Sequence, residues 1–203
     1  MIKFIPLLVL SYIIGGIPTG YLAVKIIQKK DIRNYGSGNI GFTNVLRTAG
    51  LVLGSLVLVI DTGKAFFTTY CFSNLFDTPA LYRLLFGITL IIGNIFNPFL
   101  KFKGGKGVAA GLGVALAISP IPVIFSVASF SIIILTFRYI SLGSLTAASV
   151  FLISNILLHS YTEKNWWAII FSALLFIAIV YSHTSNIKRL LRGEENKIGK
   201  RKQ

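Results

Sequence analysis

The sequence has little of what covers the surface of a soluble protein. Only 13% of its 203 residues are charged, about half the usual share, so a separate soluble domain is not expected. Six carboxylates and two histidines are too few and too scattered for a metal centre; no metal and no cofactor are expected. The single cysteine, Cys71, excludes an internal disulfide and leaves the redox compartment open, with packing as its expected role. Low-complexity segments and convincing internal repeats are absent, which argues against the inverted-repeat architecture of many transporters.

What the chain has in excess is apolar. Hydrophobic residues make up 54% of it, and mean hydropathy is +0.77. At about 20 residues per crossing there is room for roughly six to eight spans. Seven apolar segments are marked by charged or Pro/Gly boundaries: 4–24, 50–72, 84–100, 107–119, 121–137, 142–158 and 166–182. Lipid offers no partner to a backbone amide, so all seven are expected to be helical. The predicted fold is an all-α integral membrane protein, a seven-transmembrane-helix bundle forming one polytopic domain over residues 1–203. The fourth segment is short for a full crossing, and six spans is the alternative count. The first opens like a secretory signal, but its apolar run continues through Gly15 and Gly16 to Val24 without a small-residue cleavage site. A retained span is expected.

Lys and Arg number 20 against 6 Asp and Glu, a net charge of +14. Cationic loops on the inner side produce such an excess, so it calls for no nucleic-acid partner. With the N-terminus outside, every cation except Lys3, Lys64, Arg83 and Lys164 falls on the cytoplasmic side, which predicts a cytoplasmic C-terminus. Trp166 and Trp167, at the outer end of the last segment, suit an aromatic belt.

On that topology three polar segments share the cytoplasmic face. Residues 34–47 hold Gly36, Gly38 and Gly41 with the donors Ser37, Asn39, Thr43 and Asn44, and end in Arg47. They satisfy G-x-G-x-x-G, but no strand–helix–strand unit surrounds them, so dinucleotide binding fails its context test. Glycines let amides approach an anion and arginine offers a two-pronged fork for phosphate oxygens, which favours anion binding over a flexible turn. Residues 101–108 place Gly104, Gly105 and Gly107 around Lys106 just before an apolar helix, where free amides and the helix dipole attract negative charge. The Walker A spacing is absent. Residues 183–197 follow the last span. If its helix continues, His183 and Asn186 share one face with Arg189 a turn later, and a neutral imidazole there can accept a proton or orient a hydroxyl.

Within the membrane, Asp61 and Lys64 are i,i+3 neighbours and are expected to pair, because a lone charge there is costly; a coupling-ion site is the sharper alternative. Ser141 and Ser144 open the sixth span. Helix capping accounts for one of them, and a substrate contact is the expectation for the other.

Taken in order, these residues resemble a known family. Gly-Ser-Gly-Asn-Ile-Gly-x-Thr-Asn-Val-Leu-Arg (36–47), Lys-Phe-Lys-Gly-Gly-Lys-Gly-Val-Ala (101–109), Arg-Tyr-Ile-Ser-Leu-Gly-Ser (138–144) and His-x-x-Asn-Ile-x-Arg-Leu-x-x-Gly-x-Glu-x-Lys (183–197) are similar to the motifs of the acyl-phosphate-dependent glycerol-3-phosphate acyltransferases, the PlsY family. The similarity covers nearly the whole chain. It implies a seven-helix enzyme of the bacterial inner membrane with its active site on the cytoplasmic side. The implied reaction moves a fatty acyl group from acyl phosphate to the 1-hydroxyl of sn-glycerol 3-phosphate, giving lysophosphatidic acid and phosphate for phospholipid biosynthesis. Those two substrates and membrane lipid are the implied partners, a monomer is the expected state, and other lipid-synthesis enzymes are candidate associates. On the matching positions the expected catalytic residues are His183, Asn186, Ser144 and Ser37. The expected substrate-binding residues are Asn39, Asn44, Arg47, Gly104, Gly105, Lys106, Gly107 and Glu195.

The chain departs from the family pattern at Asn94, where a His is usual, at Phe42 for Ala, at Ala65 for Gly, and at Thr184-Ser185 for a more charged pair. These touch substrate geometry more than the reaction. The rival readings are a transporter of a phosphorylated solute and a scaffold whose basic loops touch anionic lipid. Against the first, segments five and seven are almost wholly apolar.

Overall fold

The computed structural model describes residues 3–159 and 165–198. Lys164, Lys200, Arg201 and Lys202, which enter the charge argument, lie outside the described residues. Among the described residues the regular structure is entirely helical. The chain forms two compact units, Met1–Ile118 and Ser119–Gln203.

In the first unit α1 (Phe4–Gly16) and α2 (Thr19–Gln28) are one apolar stretch bent by 42°. The expected single span 4–24 is therefore broken, and the cause is local. Pro18 has no N–H and disfavours helical geometry in the residue before it; Ile17 is extended, with ψ 113°. Next, α3 (Phe42–Ala49) turns the second half of the expected glycine loop into helix, and α4 (Leu51–Ser73), α5 (Pro79–Ile95) and α6 (Val108–Ile118) follow. The backbones of α1 and α5 touch: a Cβ on Gly15 would lie 2.0 Å from the Leu90 carbonyl oxygen, and one on Gly93 2.1 Å from that of Tyr12. Membrane helices pack through small residues in this way because lipid gives them no hydrophobic driving force. Helix α4 packs on α3, α5 and α6. A buried cluster of Val24, Ile32, Ile40, Val45, Leu53 and Val57 ties α2, the loop after it, α3 and α4 together.

In the second unit α7 (Pro120–Phe137) begins on Pro120, whose missing N–H is one a first turn leaves unpaired anyway. It ends at Arg138 in left-handed backbone, φ 62°. Helix α8 (Ile140–Leu158) packs on α7 and on α9 (Trp166–Ser182). Asn165 caps α9, its Oδ1 accepting from the Ala168 amide at 3.3 Å. At His183 the chain bends by 62° into α10 (Thr184–Leu191), so the last span does not run on as one helix into the His183 segment.

Among the described residues four helices are long and apolar enough to cross a bilayer, or up to six if each bent pair is one span. The remaining apolar helix, α6, has 11 residues. At 1.5 Å per residue it is about 16 Å long, roughly half the thickness of a hydrocarbon core.

Candidate active site

The first glycine loop is organised from within by Asn44, which sits in the first turn of α3 and is 1% exposed. Its Oδ1 accepts from the Ser37 amide at 2.9 Å, and its Nδ2 donates to the carbonyls of Tyr35 at 2.9 Å and Asn39 at 2.8 Å. Both amide hydrogens and the oxygen are thus engaged within the protein. Asn44 thus holds the loop's shape. Gly36 is left-handed, φ 61°, and a Cβ on it would fall 2.2 Å from Asn44 Oδ1, so a side chain is excluded twice over. Asn39 closes a turn by accepting from the Gly41 amide at 2.9 Å. On this frame Ser37 is exposed and Arg47 half-buried in the last turn of α3. At the loop's entrance the Arg33 guanidinium pairs with Asp31 at 2.6 Å. That bond holds the Asp31 carboxyl down to about 2 and raises the Arg33 guanidinium in turn.

The second loop is fastened to the end of α5. The Gly104 amide donates to the Ile95 carbonyl and the Gly105 amide to that of Asn94, both at 2.9 Å. A Cβ on Gly104 would lie 2.0 Å from Asn94 O, so only glycine lets the chain come this close. These two amides were expected to face an anion; they are spent on α5. Lys106 follows these two glycines, and α6 begins just after Gly107. Asn94, in the place where a His is usual in the family, anchors Gly105 through its main chain, with its Nδ2 3.5 Å from the Gly15 carbonyl oxygen. Sequence reasoning missed Asn97. It is fully buried, donates from Nδ2 to Gly16 O at 2.5 Å and accepts at Oδ1 from the Phe99 amide at 2.9 Å. Its carbonyl takes the Phe102 amide at 2.8 Å. The Asn97-Pro98 pair carried the signal, since Asn-Pro favours turn initiation.

In the second unit the organising group is a carboxylate. Glu195, 6% exposed, accepts from Arg189 Nε at 2.7 Å, Asn186 Nδ2 at 2.8 Å and Ser141 Oγ at 3.1 Å. The Ile198 amide donates to Arg138 O at 2.9 Å, and Lys197 lies over the Tyr139 ring at 5.1 Å. The chain after α10 therefore straps back over the start of α8. Glu195 is thus engaged by protein donors and holds Asn186. His183 is buried, with Nδ1 2.8 Å from Ile179 O. A carbonyl only accepts, so Nδ1 carries the proton and Nε2 of the neutral ring is the acceptor. Ser144 Oγ donates back to Ile140 O at 3.0 Å. Because α8 is entered through Tyr139 with no side-chain cap, capping explains neither Ser141 nor Ser144, contrary to expectation.

Asp61 and Lys64 pair at 2.7 Å as expected. Thr19, which the sequence did not single out, joins them: its Oγ1 donates to Asp61 Oδ1 at 2.7 Å.

Known proteins are similar to this chain in sequence and in fold. A family model described as Glycerol-3-phosphate acyltransferase matches residues 5–193. Proteins named glycerol-3-phosphate acyltransferase are similar over almost their whole length. The one from Syntrophotalea carbinolica is 39% identical, covering 98% of this chain and 99% of its own. That from Endomicrobium trichonymphae is 38% identical over 94% of both, and that from Staphylococcus aureus 37% identical over 96% and 97%. Among solved structures, PlsY (YgiH), an integral membrane glycerol 3-phosphate acyltransferase in its glycerol 3-phosphate form, superposes with a TM-score of 0.89 at 33% identity, covering 97% of this chain and 96% of that one. The chain belongs to the glycerol-3-phosphate acyltransferase family of PlsY enzymes, membrane proteins with transmembrane helices that serve phospholipid biosynthesis.

Proposed function

We propose that this chain transfers a fatty acyl group from acyl phosphate to the 1-hydroxyl of sn-glycerol 3-phosphate, releasing lysophosphatidic acid and inorganic phosphate. The observation that carries the reading is the likeness, over nearly the full length of both chains, to a structure in a glycerol 3-phosphate form. A second solved form, with lysophosphatidic acid, is similar at a TM-score of 0.87.

An acyl phosphate is a mixed anhydride with an activated carbonyl and a good leaving group, so the chemistry needs no acyl-enzyme. It needs two mutually repelling anions held with a hydroxyl aimed at the carbonyl, and such orientation contributes roughly 7–11 kcal/mol. Lys106 and Arg47 are the cations assigned to the phosphates, and Ser37 and Ser144 the hydroxyls that position them. The glycerol oxygen attacks the carbonyl carbon, the bond from that carbon to the phosphate oxygen breaks, and phosphate leaves. The hydroxyl's proton passes to His183, whose Nδ1 is held at the Ile179 carbonyl, or to the departing phosphate. Asn186, held by Glu195, orients the same hydroxyl.

In this reading the chain crosses the bacterial inner membrane seven times as a monomer, counting α6 as a short crossing, with the N-terminus outside and the polar segments at the cytoplasmic surface. Purified protein given acyl phosphate and glycerol 3-phosphate is expected to release phosphate, and acyl-CoA is not expected to replace the donor. His183→Gln with near-normal turnover at saturating substrate removes the base role and leaves the donor phosphate as proton acceptor. Ser37→Cys and Thr184→Cys are expected to label from the same side of the membrane; labelling from opposite sides ends the reading.

A further inference from the structure

The strongest unexplained feature lies within the first unit, away from the phosphate-binding residues. Asp61 stands near the middle of α4, one turn beyond Val57 of the buried cluster. Its Oδ1 accepts from Lys64 Nζ at 2.7 Å and from Thr19 Oγ1 at 2.7 Å. Lys64 Nζ also donates to Ile17 O at 2.7 Å and reaches Thr19 Oγ1 at 3.4 Å. Every one of these partners from outside α4 belongs to the break between α1 and α2. A helix broken at Pro18 leaves main-chain groups that lipid cannot satisfy, and the ammonium meets the carbonyl that the break exposes. Asp61 adds a second hold, on the first residue of α2, and so fixes the register of that helix along α4.

That register is what the glycine loop stands on. Gly20, next to Thr19, is so close to the loop that a Cβ on it would lie 2.0 Å from Ile40 O and 3.0 Å from Val45 Cγ2. One turn further along α2, Val24 shares the buried cluster with Ile32, Ile40 and Val45. Interiors packed this tightly transmit a shift rather than absorb it.

We propose that Asp61, Lys64 and Thr19 are positioning residues for the glycine loop 36–47, acting through the register of α2. Their catalytic meaning rests on the reading above that this loop serves glycerol 3-phosphate. Thr19→Val keeps the shape of the side chain and removes only the hydroxyl; Thr19→Ser restores it. Hydrogen exchange of the peptide covering residues 36–47 in the purified, full-length protein decides the proposal without reference to activity. Thr19→Val is expected to speed that exchange by about tenfold, the effect of losing one hydrogen bond to a charged group, and Thr19→Ser to return it to the parent rate. Asp61→Asn is expected to exceed Thr19→Val. Parent-like exchange in Thr19→Val, whatever its melting temperature, overturns the proposal and leaves the cluster a device for holding the fold together. Kinetics then separate the two ideas. The KM for glycerol 3-phosphate is expected to rise in step with exchange while kcat changes less. Faster exchange with an unchanged KM keeps the positioning role and removes the loop from glycerol 3-phosphate binding.

Discussion

The two units hold their polar segments by opposite means. In the first, a neutral amide, Asn44, binds the loop through one accepted and two donated bonds. In the second, a carboxylate, Glu195, gathers Asn186, Arg189 and Ser141. The difference follows from what each segment has to do. A carboxylate at the Asn44 position would set a negative charge within a turn of Arg47 and, in the proposed function, oppose the anion assigned to that loop. An amide adds no charge, and it can donate and accept at once, which a carboxylate cannot. The tail already carries Arg189, whose guanidinium pairs with Glu195 at 2.7 Å, so the anionic hub of the second unit is balanced locally. The carboxylate in return gives stronger, charge-assisted bonds to a strap that has no regular structure of its own.

The sharpest break in this comparison comes from Glu195. Glu195→Ala leaves a guanidinium and two polar groups facing a void, and its expected cost is about 2–4 kcal/mol, read as a fall in melting temperature with near-complete loss of phosphate release. Glu195→Gln keeps the volume and is expected to recover part of both. Equal damage from Ala and Gln would mean that charge, rather than hydrogen bonding, is what matters there. Asn44→Asp is the converse exchange. It turns two donated bonds into carboxylate–carbonyl repulsion and adds the unwanted charge, so the KM for glycerol 3-phosphate is expected to rise by about a hundredfold. Asn44→Ala, which loses the bonds but adds no charge, should fall between. A KM in Asn44→Asp no worse than in Asn44→Ala would show that neutrality of the hub is irrelevant.

The helices and the polar motifs were legible in the sequence because both rest on local chemistry: long apolar runs demand internal amide partners, and clustered glycines beside cations demand a turn. The break at Pro18 was legible too, but hydropathy averages over it, and 4–24 reads as a single span. What could not be read was the direction in which polar side chains face. Asn44, Gly104, Gly105 and Glu195 look like substrate ligands by residue type, yet each is bonded to the protein itself. Whether an amide or a carboxylate turns inward or outward depends on partners far off in sequence, as with Ser141 and Glu195, 54 residues apart. Thr19 is the extreme case. It carries no motif, and its role exists only because Asp61, 42 residues away, lies against the helix break.

A smaller effect separates shape from chemistry among the glycines. Gly104→Ala drives a methyl into Asn94 O and is expected to raise the KM for glycerol 3-phosphate by about tenfold through displacement of Lys106. Gly63→Ala, at a position in α4 where a Cβ meets nothing within 4 Å, is expected to leave kinetics alone and to stabilise slightly, by up to about 1 kcal/mol. If both substitutions act alike on KM, the contact with α5 is not what the second loop requires.

The smallest expected effect tests whether any hub in the first unit answers to pH. Asn44 does not titrate, so the Asp31–Arg33 pair at the loop's entrance is the element to watch. Arg33 holds the Asp31 carboxyl down from 3.8 to about 2. A group whose folded value is depressed contributes stability above its unfolded value and loses it as pH falls toward the folded one. The contribution is therefore whole above about pH 4 and fades between about pH 4 and pH 2. The pair is solvent-exposed, so its effect is small and screened by salt. Asp31→Asn should lower the melting temperature slightly at neutral pH and low salt, and the difference should shrink both on acidification to about pH 3 and in about 1 M salt. A difference that survives both treatments would mean that Asp31 acts through its bond to the Arg33 amide, 3.0 Å away, as an uncharged turn-former of the same kind as Asn39 and Asn44. The loop would then be held by side-chain geometry from its entrance to its end, with no part of its shape left to charge.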